Sequence, residues 1–244
     1  MTKIIPEDLG KLKMLEYLYL FENRLSGSIP YSLCNLTKLT KLSLSFNSFE
    51  GTISSSFGNL QRLEVLDLSN NRLSGSIPKE LVSLLYVSLM LNFSHNVLVG
   101  SIPLEVGSLK NLIVLYVSGN QLSGEIPSTL SNCEVLQYLS MDNNFFEGAI
   151  PPSLCNIKGL ITLDLSCNNL SGPIPEMLES SYYLEYLNLS FNNLSGEVPM
   201  KGVFANTSAV SLLGNTGLCE GVLTLSACPM NVRIFYKEET NWTG

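Results

Sequence analysis

The chain of 244 residues has a single histidine, a single tryptophan and only 14% charged residues. With one histidine and no CxxC pair or Cys/His cluster, no zinc site or other metal centre is expected, and nothing in the sequence asks for a cofactor. No run of Lys or Arg occurs, the formal charge is −7 and the pI is near 4.8. A basic face able to hold a phosphate backbone or an anionic lipid surface is therefore missing, which argues against nucleic acid as a partner. The longest unbroken apolar run is six residues, Leu112 to Val117, against the roughly 18–20 that a spanning helix requires. No membrane segment is expected, and Met1 to Gly10 lack the basic start and apolar core of a signal peptide. What the chain has in quantity is apolar residues (45%), 18 Gly and 11 Pro. It is too apolar for a disordered tail and long enough to bury roughly 70–75% of its unfolded surface.

A repeat organises the sequence. Asparagine recurs at Asn23, Asn47, Asn71, Asn96, Asn120, Asn144, Asn168 and Asn192, at intervals of 24 residues except for one of 25. Five residues before each stands a leucine: Leu18, Leu42, Leu66, Leu91, Leu115, Leu139, Leu163 and Leu187. Further apolar residues fall three before and two after each asparagine, and Ile or Val falls six after, usually followed by proline. Alternating leucines point inward from a short strand, and one strand per repeat stacks into a parallel sheet with ~4.8 Å between neighbours. A column of asparagines at the strand exits can donate and accept at once, satisfying backbone groups at each inner turn as a structural ladder. The glycines four after each asparagine, such as Gly27 and Gly124, mark tight turns, and the following Ile-Pro returns the chain in an extended conformation. The fourth coil carries the extra residue, near Tyr86 to Ser88, with Ser88 in the slot of the first strand leucine; a bulge is expected there.

The block NxLSGxIP, as in Asn71 to Pro78 and Asn120 to Pro127, resembles the plant-specific leucine-rich repeat. The segment Gly202 to Cys219 resembles the closing segment of plant leucine-rich-repeat receptor-kinase ectodomains. Within that group it is similar to the immune-receptor subfamily that includes the rice bacterial-blight-resistance receptor. The resemblance implies a leucine-rich-repeat solenoid of the α/β class, mainly parallel β with a 3-10 or irregular convex side. It also implies an extracellular position at the plasma membrane, a peptide or protein ligand, a co-receptor kinase as second partner, and a role in defence. The family's kinase is not in this chain, so no enzyme activity is expected. The expected organisation is a solenoid over 1–199 with a partial first repeat and eight full ones, a C-terminal cap over 200–229, and a divergent tail over 230–244. Two other readings are a secreted inhibitor of a microbial cell-wall hydrolase, similar to polygalacturonase-inhibiting proteins, and a truncated receptor product without function.

Cys34 and Cys155 share one slot of the repeat five coils apart, roughly 24 Å at the strand spacing, too far to bond to each other. Cys133 takes a leucine slot and reads as a buried thiol, and Cys167 at a strand exit reads as free. Cys219 and Cys228 follow the last repeat nine residues apart, in a segment that must cover the end of the core, and a capping disulfide between them is expected, with two free thiols as the other reading. Glycosylation sequons begin at Asn35, Asn92, Asn169, Asn188, Asn193, Asn206 and Asn241, several of them by-products of the Asn-Leu-Ser in the repeat.

The candidate ligand surface is the set of outward strand positions six, four, two and one before each ladder asparagine. Its proposed contacts are Lys41, Phe46, Asp67, Tyr116, Tyr138, Asp142, Asp164, Tyr186 and Phe191. Exposed Tyr and Phe on a rigid sheet make good interface anchors, and the excess of carboxylates over Lys41 favours a ligand with basic residues. The serines and the other polar residues of this face also read as soluble strand fillers, and Tyr17, Tyr19 and Phe21 as packing for a preceding cap. Asp67, His95 and Ser118 could be drawn as a catalytic triad, but an open sheet has neither a buried pocket nor oxyanion donors.

Overall fold

The computed structural model describes residues 4–84 and 87–219. Each coil contributes one strand to each of two parallel sheets, joined by a 3-10 turn except between Arg72–Gly75 and Met90–Asn92, and each sheet has nine strands hydrogen-bonded in chain order. The inner, concave sheet begins at Tyr17–Tyr19 and runs through Lys41–Ser43, Val65–Asp67, Met90–Asn92, Val114–Tyr116, Tyr138–Ser140, Thr162–Asp164 and Tyr186–Asn188 to Val210–Ser211. Its register places the repeat leucines opposite each other, Leu18 against Leu42 and Leu42 against Leu66, and so on to Leu187. The period of two along each strand therefore sends one leucine face into the core at every coil.

The second sheet is built from the segments around LSG, for example Gln121–Glu125 and Phe145–Ala149. Sequence reasoning assigned these residues to turns, because each contains a glycine at positive φ, such as Gly124 at +79°. The glycine turns the strand without ending it, and pairing continues through Gly124 opposite Phe146. On the convex side, prolines such as Pro30 (φ −66°, ψ 131°) hold the chain extended before a 3-10 turn, here Tyr31–Asn35, as the fixed proline φ favours.

The core is a continuous stack of the repeat leucines, widened by the fully buried Phe49, Phe57, Phe93 and Phe146. It is tightest in the middle coils. Leu15, Leu20 and Leu25 of the first coil are only partly buried, whereas Leu39, Leu44 and Phe49 one coil on are fully covered.

The irregular coil is a bulge, with one correction to its register. Val87, not Ser88, fills the leucine slot: it is fully buried, and its N–H bonds to the Leu84 carbonyl at 3.1 Å as the Leu63 N–H bonds to Leu60 at 2.9 Å. Ser88 is the inserted residue. In a regular coil one carbonyl takes two N–H groups, as Ile113 O takes those of Gln137 and Tyr138; at the bulge that pair is shared between Ser88 O and Leu89 O. Two residues facing one is the signature of a bulge, and pairing is regular again at Met90 opposite Val65.

After Pro199 the chain builds a shortened ninth rung. Val210–Ser211 adds to the inner sheet and Gly217–Cys219 to the second sheet. Asn215 repeats the ladder contacts, with Nδ2 donating to Leu189 O at 2.9 Å and Leu212 O at 3.0 Å, and Oδ1 accepting from Leu194 N at 3.1 Å. The signal was present as Val210, Leu212 and Asn215, the repeat's own spacing of −5, −3 and 0. Glu179 ties this segment down: its Oε1 accepts from the N–H groups of Met200 at 2.7 Å and Lys201 at 2.9 Å. The Lys201 N–H is the main cause that holds Glu179 below the usual carboxylate range; burial opposes it, and the Met200 N–H and the Lys201 ammonium add to it. A carboxyl so lowered stabilises the fold above the ordinary glutamate pKa of about 4.3 and loses that contribution as pH falls through its own lower value. Glu179→Gln is expected to lower the melting temperature at pH 7. In melts taken from pH 7 down to pH 3, the difference from the parent chain should shrink toward zero at the acid end.

Cys34 and Cys133 are buried free thiols, both pushed up to about 11 chiefly by desolvation. Cys155 and Cys167 are free and half-buried. Cys219 is disulfide-bonded; Cys228 lies outside the described residues, as does the sequon at Asn241.

Candidate functional site

The ladder supports the inner face from behind. In each inner coil the asparagine Nδ2 meets three carbonyls and Oδ1 accepts one N–H. For Asn120 the partners are Phe93 O at 3.0 Å, Val117 O at 3.0 Å, Ser118 O at 3.2 Å and Leu98 N at 3.1 Å. The residue just before each ladder asparagine is left-handed in every coil: Glu22, Phe46, Asn70, His95, Asn143, Cys167 and Phe191 have φ between 51° and 55°, and Gly119 has 63°. Asparagine and glycine accept that conformation readily, while a bulky residue pays about 1–2 kcal/mol for it. Phe46, His95 and Phe191 are therefore held at a strained turn that projects them at the border of the inner face. The His95 ring lies close over Gly119 of the next coil, where a Cβ would stand 2.5 Å from His95 Nδ1 and the imidazole would have to shift.

The four outward columns are not equally open. The column two before the ladder is turned inward: Ser45, Ser69, Ser94, Ser118, Ser166 and Ser190 are all buried. The hydroxyls of Ser69, Ser166 and Ser190 close turns with the column four before. Asp67 Oδ1 accepts from Ser69 N at 3.0 Å and Ser69 Oγ at 2.7 Å, and Asp164 Oδ1 accepts from Ser166 N at 2.9 Å and Ser166 Oγ at 2.6 Å. Asn188, expected to project from the sheet as a sequon, instead donates to Asp164 Oδ2 and Ser166 Oγ, both at 3.1 Å. Asn92 is half-buried and accepts from Ser94 N at 3.1 Å. The sequon asparagines Asn35, Asn169, Asn193 and Asn206 are exposed. The sequence signal for the inward column was serine in six of the eight coils, a residue small enough to fit between strands.

The surface that remains open is a trough with Asp142, Asp164, Tyr116, Tyr186, Thr162 and His95 on its walls, about 370 Å³ in volume. Asp142 and Asp164 are the two carboxylates that line it. Burial would raise the Asp142 carboxyl, but the Ser118 hydroxyl at 2.5 Å, the Ser140 hydroxyl at 2.7 Å, the Asn143 amide at 2.6 Å and its own N–H outweigh that and hold it below the usual range. It stays ionised on neutral donors alone. The two ion pairs among the described residues, Lys11 with Asp8 and Lys201 with Glu179, lie elsewhere. Burial also pushes the Tyr116 phenol up, with Tyr138 beside it adding to the effect.

Of the other candidates, Tyr138 and Asp67 flank the trough half-buried, and Phe46 and Phe191 stand exposed at its border column. Lys41 sits apart, its ammonium 5.8 Å from the centre of the Tyr17 ring, within cation–π range. Tyr17, Tyr19 and Phe21 are about half exposed, with Tyr19 edge-on to Phe21 at 6.3 Å. The drawn triad is not assembled: Ser118 bonds Asp142 and Ser140, and Asp67 bonds Ser69. Among the described residues no group of three or more His, Cys, Asp or Glu could hold a metal ion, and no helix is long and apolar enough to cross a membrane.

The leucine-rich-repeat family models match residues 14–36, 37–98, 111–133, 135–157, 159–181 and 183–201. Among solved structures the chain is similar to the plant peptide hormone receptor RGFR1 in complex with RGF2, with 35% identity and a TM-score of 0.81 over 89% of this chain and 34% of that one. It is also similar to the Arabidopsis receptor kinase HAESA in complex with the peptide hormone IDA and the co-receptor SERK1, at 34% identity and a TM-score of 0.66 over 92% of this chain and 45% of the other. A plant ice-binding protein matches at 29% identity and a TM-score of 0.71, over 94% of this chain and 81% of its own. No curated protein sequence matches the chain. The chain spans about a third of the length of the hormone receptor. The repeat, its two parallel sheets and the matched models agree, and the chain belongs to the leucine-rich-repeat family.

Proposed function

We propose that this chain is the ligand-recognition part of an extracellular plant receptor and that it binds a peptide or protein segment along the inner sheet, with a co-receptor kinase as second partner and a role in defence signalling. The observation that carries the reading is the trough: Asp142 is held ionised by neutral donors, Asp164 is hydrogen-bonded by neutral donors, and neither is in an ion pair among the described residues, beside half-open tyrosines on a rigid sheet. Such a surface gains from a ligand that brings positive charge and from aromatic contacts that lose little entropy. The contacts are Tyr116, Tyr138, Asp142, Asp164 and Tyr186, with Lys41, Phe46, Asp67 and Phe191 at the margins. The similarity to receptors solved with peptide hormones supports the same reading. An ice-binding reading would call for a regular uncharged array, and the second sheet instead carries the exposed Glu50, Glu125, Glu147 and Glu197.

The test is selection of displayed random 12-residue peptides on the immobilised chain and on its Tyr116→Ala, Tyr138→Ala, Tyr186→Ala triple variant. Enrichment on the parent chain and at least a tenfold loss of affinity on the variant are expected. Peptides that bind the two equally would overturn the inner sheet as the site. A hydrolase-inhibitor function would appear instead as suppressed pectin hydrolysis by a microbial enzyme.

A further inference from the structure

The column four before the ladder asparagine carries a longer period than the coil. Down the solenoid it reads Tyr19, Ser43, Asp67, Asn92 and then Tyr116, Ser140, Asp164, Asn188, the same four residues in the same order. None of the other three columns repeats in this way. The local geometry repeats with it. Asp67 and Asp164 accept from the N–H and hydroxyl of the serine two residues on, at 3.0 and 2.7 Å and at 2.9 and 2.6 Å. Asn92 and Asn188 accept from Ser94 N at 3.1 Å and Ser190 N at 3.2 Å. In both aspartates these turns occupy Oδ1; Asp164 Oδ2 in addition accepts from Asn188 Nδ2 at 3.1 Å, and neither carboxylate is in an ion pair among the described residues.

We infer that the inner sheet holds two similar stations for a basic side chain, centred on Asp67 and Asp164, and that the ligand is a peptide with two basic residues about six positions apart. The inference rests on the peptide-binding reading above and adds the ligand's charge pattern. The strands of the two aspartates are four steps apart in the inner sheet, about 19 Å at ~4.8 Å per step, and an extended peptide covers that distance in about six residues at ~3.3 Å each. The trough runs from Ser69 and Asn92, beside the first station, past Asp164 of the second to Tyr186, so a linking segment has a path along the sheet. A basic side chain suits each station because a charged N–H on the remaining lone pairs of Oδ2 makes a charge-assisted hydrogen bond, and a guanidinium keeps its other N–H groups for neighbouring acceptors. Once one station is filled, the second basic residue binds at high effective concentration, provided the spacing matches. The second station is the stronger, since Asp142 adds a carboxylate to the same trough.

The experiment uses synthetic Gly/Ser peptides of twelve residues, with two arginines separated by two, four, six or eight positions and a single-arginine control. Binding to the whole chain is read by fluorescence anisotropy at low salt. The expected result is an affinity maximum at a separation near six, at least tenfold above the single-arginine peptide. Asp67→Asn and Asp164→Asn should each abolish the maximum and leave the single-site affinity, with the larger overall loss for Asp164→Asn. Asparagine keeps the acceptor that closes the turn with Ser69 or Ser166; in Asp164→Asn the Asn188 amide loses the Asp164 acceptor but keeps Ser166 Oγ, so both variants should fold, and melting curves check this. Affinity that rises with charge but ignores separation would overturn the two stations. If the displayed peptides of the preceding section still depend on the three tyrosines, the peptide-binding reading survives that outcome; if they do not, both fall.

Discussion

Replacing Asn120 by alanine is expected to destabilise the chain by about 3–4 kcal/mol, the larger part of it from groups the mutation leaves behind. The buried Asn120 side chain accepts from Leu98 N and donates to the carbonyls of Phe93, Val117 and Ser118. Leu98 and Phe93 are fully buried, so water cannot replace the lost partner. Asn120→Asp should be worse than alanine at neutral pH, because it sets a carboxylate oxygen against three carbonyls. Asn23→Ala is the control. That side chain is exposed in the first coil and donates only to Leu20 and Phe21 carbonyls at 3.2 and 3.0 Å, so a cost below about 1 kcal/mol is expected. Urea unfolding of the three variants tests the order. Because each coil of a solenoid contacts only its neighbours, the variant in the middle should also separate the transitions of the two halves. Equal midpoints for Asn23→Ala and Asn120→Ala would mean that the ladder does not carry the inner turns.

This contrast also marks what the sequence makes legible. The inward leucines and the eight asparagines could be read directly, because stacking forces the same residue into the same slot at every coil. Less legible were features that depend on which backbone groups pair. The second sheet was concealed by glycines that turn the strand without breaking it, as at Gly124. The insertion was one residue from where the leucine pattern placed it, because Val87 fills the slot as well as leucine does and leaves Ser88 as the spare. The ninth rung at Asn215 was hidden by its position after the last Ile-Pro signal. For the candidate site, the inner face was legible as columns of residue types. What could not be read was that the serine column turns inward to hold Asp67, Asp164 and Asn188, since a serine on an alternating strand looks the same whether its hydroxyl meets water or a neighbouring carboxylate. That column decides the chemistry of the face: it holds the aspartates by neutral donors, and they form no ion pair among the described residues.

Phe93→Ala is the second large effect expected, about 3–5 kcal/mol, the usual cost of removing a fully buried phenylalanine. Phe93 occupies the column three before the ladder, where most coils have leucine, and it is fully buried. The next coil carries Val117, also buried, and Met141 follows. A large residue followed by a small one keeps the volume of the stack near that of two leucines, so the pair should be coupled. Phe93→Leu alone leaves a gap, and Val117→Leu alone overpacks by about 1–3 kcal/mol. The double variant restores the leucine column and should lie within about 1 kcal/mol of the parent chain, far from the sum of the single effects. A double-mutant cycle by urea unfolding measures this, and strict additivity would show that the two side chains do not share a space. The same pair bears on binding. Phe93 lies between Asn92 and Ser94, and Val117 between Tyr116 and Ser118, four residues that line the trough. The compensated double variant should therefore keep its affinity for the displayed peptides, whereas Phe93→Ala should lose it in proportion to the disorder it brings to that floor.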